Sequence, residues 1–140
     1  MRVVADTNTV VSAFLWGGLP AQVLAAARFG RLSLFTSPAL LAELEDVLAR
    51  PKFSVRLAAG GSSVAQLMSG YRALATVVRA EPIARTTRDP DDDDVLACAL
   101  GAGAALIVSR DHDLLELVEF RGIRIHSARE ALEFVAALLP

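Results

Sequence analysis

Asp89-Pro90-Asp91-Asp92-Asp93-Asp94 runs without a break into Val95-Leu96-Ala97-Cys98-Ala99-Leu100, then through Gly101-Ala102-Gly103 into Ala104-Ala105-Leu106-Ile107-Val108-Ser109-Arg110-Asp111. This stretch decides the fold, because it changes character twice. An acidic head leads into an uncharged run that reads as a helix entering a core; the glycines make a turn, and a buried strand follows that ends on a hydroxyl and an acid. Five aspartates in six residues repel one another unless water or a cation separates them. The plain alternative is a solvated acidic loop that starts a helix, since carboxylates favour the first turn.

Working outward, the N-terminus repeats the strand pattern. Val3, Val4 and Ala5 form a short uncharged run that ends on Asp6, Thr7 and Asn8, and Asp113 follows two residues after Asp111. In a parallel α/β sheet the carboxyl ends of the strands open on one edge, where ligands bind. Two strands ending in Asp therefore put two carboxylates on a common rim, and the acidic helix start can join them there. The expected fold class is α/β, a three-layer α/β/α arrangement around a central parallel sheet.

The chain has 140 residues, 54% of them hydrophobic, enough for one three-layer core, and no linker-like stretch divides it. A single domain over residues 1–140 is expected. The uncharged run 95–109 is shorter than the roughly 18 apolar residues of a membrane span. With no charged-then-apolar leader at the start, the reading is cytoplasmic with no membrane association. Cys98 is the only cysteine and reads as a small buried residue. The net charge is −2, with 14 basic and 16 acidic residues; outside the aspartate run the chain is mildly basic. All but one of the basic residues are arginine, the side chain suited to bidentate phosphate contacts.

Strand and helix alternate along the rest of the chain. Helices are expected over about 9–15 and 20–29, a strand over 31–36, and a helix from Pro38, N-capped by Ser37, to about Ala49. Short helices follow over 51–58 and 64–75, with an edge strand near Val77–Ala80. After the strand at 104–111 come a short helix at 114–117 and a last strand at 123–126. Ser127 and Glu130 form a capping box that opens a C-terminal helix to about Leu138. Glu43 is out of place on its helix, one turn from Leu40 and Val47 and so near the buried face. Its plain reading is a boundary glutamate whose stem lies along apolar surface.

In their order and spacing, four segments carry a resemblance over nearly the whole chain: Val4-Ala5-Asp6-Thr7-Asn8 with Ser12; Ser37-Pro38 through Glu43-Leu44 to Lys52-Phe53; Arg88-Asp89-Pro90-Asp91-Asp92-Asp93 with Leu96-Ala97-Cys98-Ala99; and Val108-Ser109-Arg110-Asp111-His112-Asp113-Leu114-Leu115. The chain resembles the PIN-domain nucleases and, more narrowly, the bacterial PIN-family toxins of toxin–antitoxin pairs. The resemblance implies an acidic set of Asp6, Glu43, Asp92 or Asp93, and Asp111, with Asn8, Ser12, Ser109 and Asp113 as supporting polar groups. It also implies Mg²⁺ or Mn²⁺ as cofactor, RNA as substrate, a small antitoxin as protein partner and a homodimer. Oxygen-only ligands suit such hard cations. His112 and His126 are isolated and read as surface or strand-end residues. Arg85, Arg88 and Arg110 adjoin acidic positions and are candidates for flanking phosphates.

Three other readings remain open. A phosphoacceptor receiver domain needs a lysine late in the chain, and the only lysine is Lys52. A haloacid-dehalogenase-type phosphatase starts with an Asp-x-Asp pair, and the second position here is Asn8. A PIN scaffold that binds RNA or protein without cutting is the third, and the intact acidic set argues against it.

Overall fold

A computed structural model describes residues 1–138; residues 139 and 140 of the expected 1–140 span lie outside the described residues. The elements run β1 (Arg2–Ala5), α1 (Thr7–Leu15), α2 (Gly18–Arg28), β2 (Ser33–Thr36), α3 (Pro38–Leu48), a 3₁₀ turn (Pro51–Phe53), α4 (Ser54–Ala59), α5 (Val64–Leu74), β3 (Thr76–Val77), α6 (Pro90–Ala102), β4 (Leu106–Val108), α7 (His112–Leu115), β5 (Glu119–Phe120), β6 (Ile123–His126) and α8 (Ala128–Leu138). The sheet order is β3-β2-β1-β4-β6-β5. Every pairing is parallel except β5 with β6. The expected α/β class with a central, mainly parallel sheet is present.

Side chains alternate across the strands, so β1, β2 and β4 each feed two apolar layers. Val3, Ala5, Leu34, Leu106 and Val108 pack with α1, α2, α3, α5 and α8 on one face. Val4, Phe35, Ile107, Ile123 and Ile125 pack with α6 and Leu114 on the other. This produces the α/β/α layering. Among the described residues no single helix is long and apolar enough to cross a membrane. α1 and α2, apolar together, are bent against each other by 98°.

The predicted caps form. Ser37 Oγ accepts from Leu40 N at 3.3 Å; Glu130 N donates to Ser127 Oγ at 3.2 Å and Ser127 N to Glu130 Oε1 at 3.0 Å. α2 starts at Gly18, two residues before the expected Pro20, and the edge strand is shorter and earlier than expected, at Thr76–Val77. β5 was not foreseen. It pairs with β6 through Arg121 and Gly122, both at positive φ (48° and 84°), the geometry of a tight type I′ hairpin turn. An arginine in the first of these positions carries no turn signal.

Candidate metal centre

β1 and β4 are neighbours with Ala5 opposite Val108, so the residues just past their ends meet. Asp6 N donates to Val108 O at 3.0 Å. The Asp6 carboxylate is buried, 4% exposed. Its Oδ1 accepts from Thr9 N at 2.9 Å, capping α1, and its Oδ2 accepts from Ser109 Oγ at 2.6 Å and Arg110 N at 3.3 Å. Burial raises the Asp6 pKa in spite of these donors. Ser109 Oγ also accepts from Asp111 N at 2.9 Å, which ties the two strand-end acids into one unit. Asp111 Oδ1 caps α7 by accepting from Asp113 N at 2.8 Å.

α6 covers the second face of the sheet with its acidic first turn at the same rim. Asp92 lies on its core side and is only 8% exposed, whereas Asp91 is exposed. Carboxylate oxygens of Asp92, Asp111 and Asp113 all lie within 4.8 Å of one another. Asp92 Oδ2 is buried and has no hydrogen-bond partner among the described residues. Burial, then the charges of Asp111, Asp89, Asp6 and Asp113, push its pKa up to about 7. A buried carboxylate with an unpartnered oxygen, set beside two further carboxylates, is what a divalent cation with oxygen ligands would satisfy. The residues present fit such an ion.

Glu43 is half-buried on α3. Burial raises its pKa, the Thr7 hydroxyl opposes the rise, and the charges of Asp91, Asp89 and Asp6 add to it. Thr7 Oγ1 is buried without a hydrogen bond of normal geometry, so its effect on Glu43 is that of a nearby dipole. Asp6 and Glu43 stand outside the close trio, near enough for the Asp6 charge to act on both Asp92 and Glu43.

Asp93 points elsewhere. Its Oδ1 accepts from Thr87 N at 2.8 Å and Thr87 Oγ1 at 2.9 Å, and Thr86 N donates to the same carboxylate at 3.3 Å. Burial acts to raise its pKa, but the Thr87 and Thr86 donors and the Arg85 charge together hold it below the usual range. Ser12 accepts from Arg110 Nη1 at 2.7 Å, and exposed Asn8 lines a cleft beside them. Arg85 and Arg88 flank a second cleft that includes Asp113.

The bracing of Asp93 by Thr86 and Thr87 was not foreseen, because nothing local pairs a loop threonine with an acid six residues on. The place of Asp113 beside Asp92 was foreseen only as a supporting one. Its signal was the Asp111-His112-Asp113 spacing, which a helix start converts into two neighbouring carboxylates.

No curated protein shows a significant sequence match to the chain. The family model described as PIN domain matches residues 2–113, most of the chain, and its span takes in the strand ends, Glu43 and all three members of the close trio. With the parallel sheet and the acidic rim at its strand ends, the chain belongs to the PIN-domain family.

Proposed function

We propose that the chain is a single-domain, divalent-metal-dependent ribonuclease of the cytoplasm, the toxin of a toxin–antitoxin pair. A small antitoxin would restrain it, and it would work as a homodimer. The observation that carries the reading is buried Asp92, which has an unpartnered Oδ2 and a carboxylate oxygen within 4.8 Å of oxygens of Asp111 and Asp113. Asp6, Glu43, Asp92 and Asp111 would hold Mg²⁺ or Mn²⁺ with Asp113, while Asp93 braces the loop beside them. The bound cation supplies charge neutralisation at the phosphodiester and a source of hydroxide at neutral pH.

The chain's own residues do the positioning. Ser109 holds the Asp6 carboxylate and the Asp111 backbone in one frame, so two ligand positions move together. Backbone donors at Thr9 and Arg110 fix the Asp6 rotamer; about one of its four lone-pair sites stays free. The Arg110 guanidinium, set by Ser12, is placed to take a phosphate next to the one that is cut. No histidine base is needed, and products would carry a 5′-phosphate and a 3′-hydroxyl.

The test is RNA cleavage by the purified chain. Cleavage should require Mg²⁺ or Mn²⁺ and stop in EDTA, and Asp6→Asn should abolish it while the fold, read by circular dichroism, is kept. Turnover in EDTA, or 2′,3′-cyclic phosphate ends, would overturn the mechanism.

A further inference from the structure

We propose that the cleft between Trp16 and Phe53 stacks an unpaired nucleobase of the RNA next to the acidic rim, with Arg56, Lys52 and Arg110 taking the neighbouring phosphates. The inference rests on the ribonuclease reading only for the identity of the polymer. Trp16 ends α1 with 57% of its surface exposed. Phe53, from the turn before α4, meets it edge to face with ring centroids 5.8 Å apart. A large aromatic left this open at the mouth of a cleft of about 340 Å³ offers a flat apolar face to a ligand.

The cations around it say what kind of ligand. The Arg56 guanidinium lies 5.4 Å over the Trp16 ring and is anchored by Nε donating to Leu15 O at 2.8 Å. The chain's one lysine, Lys52, places Nζ 5.0 Å over the Phe53 ring. Arg110 lines the cleft together with Asn8 and Ser12, and among the described residues no acidic side chain lines it. Three cations around two aromatic rings match a chain that is flat and apolar at its bases and anionic between them. An apolar peptide would use the rings and leave the charges idle.

The cleft is also continuous with the site. Arg110 bonds Asp6 through its backbone N and Ser12 through its guanidinium, so one residue borders both the acidic rim and the aromatic pair. A strand lying across the rim would put a base from a flanking nucleotide over the rings. Only unpaired bases expose a face to stack, so the substrate class is single-stranded RNA, or a loop or end of a folded one.

Trp16 is the only tryptophan, and its fluorescence reports on the cleft directly. A ten-nucleotide oligoadenylate titrated into the full-length Asp6→Asn variant with Mg²⁺ should quench it; a matched RNA duplex should not. In the parent background, Trp16→Ala and Phe53→Ala should raise the KM for single-stranded RNA on the order of 10- to 100-fold per lost stacking partner with kcat held. Trp16→Phe should recover most of the loss. Because Trp16 is more than half exposed, its removal should cost at most about 1 kcal/mol of stability through the lost ring contacts, and the variant should stay folded in the assay.

Absent quenching together with an unchanged KM in Trp16→Ala overturns the stacking proposal and leaves the nuclease reading intact. Quenching by oligoadenylate in a protein whose parent cuts no RNA does the reverse. Equal quenching by the duplex, or by a neutral apolar helical peptide, also overturns it, the latter assigning the cleft to a protein partner.

Discussion

Asp6, Asp89 and Asp111 each cap a helix with a carboxylate oxygen, and capping alone is reason enough for an aspartate at those positions. Asp92 caps nothing. It is buried on α6 with its Oδ2 unpartnered and its pKa pushed up to about 7, so its charge costs stability that no contact within the chain returns. Asn at 92 should therefore move two readouts in opposite directions. Asp92→Asn should raise the melting temperature in EDTA and lower kcat/KM with Mg²⁺ on the order of 100-fold or more, beyond what loss of an outer-sphere partner costs. Asp91→Asn, at an exposed position, should be nearly silent in both. Asp93→Asn should lose about 1 kcal/mol of stability through the Thr86–Thr87 donors, with activity between the other two. Equal activity losses at all three positions would instead mean a diffuse electrostatic role.

At the scale of elements, α6 can present Asp92 only because its other end lies against an extended segment. Val78 N donates to Thr36 O at 2.8 Å and Glu81 N to Ala97 O at 3.0 Å, pinning residues 78–81 between β2 and α6. Gly101 makes this possible: a Cβ there would lie 2.1 Å from Arg79 O. Since the obstacle is backbone, it has little room to yield. Gly101→Ala should destabilise the fold by about 1–3 kcal/mol despite alanine's better helix propensity. Gly70→Ala, exposed in α5 with nothing within 4 Å of the added Cβ, should stabilise by up to about 1 kcal/mol. Urea denaturation of the two variants measures the contrast, and equal shifts would mean that α6 does not depend on this approach.

For the whole molecule, two apolar layers clamp the sheet and leave the carboxylates at one rim, so the rim's charge is felt globally. In EDTA the folded chain holds a proton on Asp92 between its ordinary value of 3.8 and about 7, where the unfolded chain does not. Stability of the metal-free protein should therefore fall as pH rises from about 4 to 7. Asp6, Glu43 and Asp94, all raised chiefly by burial, act with the same sign. Asp93 and Glu130, lowered, act against it. Saturating Mg²⁺ favours the ionised carboxylates and should flatten this slope. At pH 7 and 100 times its Kd, Mg²⁺ should add about 2.7 kcal/mol, a rise in melting temperature of roughly 10 °C for a domain of this size. Thermal melts across pH at constant ionic strength, with and without Mg²⁺, check both signs. An unchanged melting temperature in Mg²⁺ would count against a preformed cation site.

What the sequence determined by itself is what local physics controls. Apolar runs ending in acid specified β1 and β4, and Ser37 with Pro38 and Ser127 with Glu130 specified helix starts. Each depends on residues within a turn or two of one another. Only the tertiary structure decided which acids share a space. Ser109 reaches Asp6 across 103 positions and Arg110 reaches Ser12 across 98, because β1 and β4 happen to be neighbours in the sheet. The same holds for Trp16 beside Phe53, and for Asp93 turning to Thr86 and Thr87 while Asp92 faces Asp111 and Asp113. Side-chain partners at long separation follow from how whole layers pack, and no pattern along the chain encodes that packing.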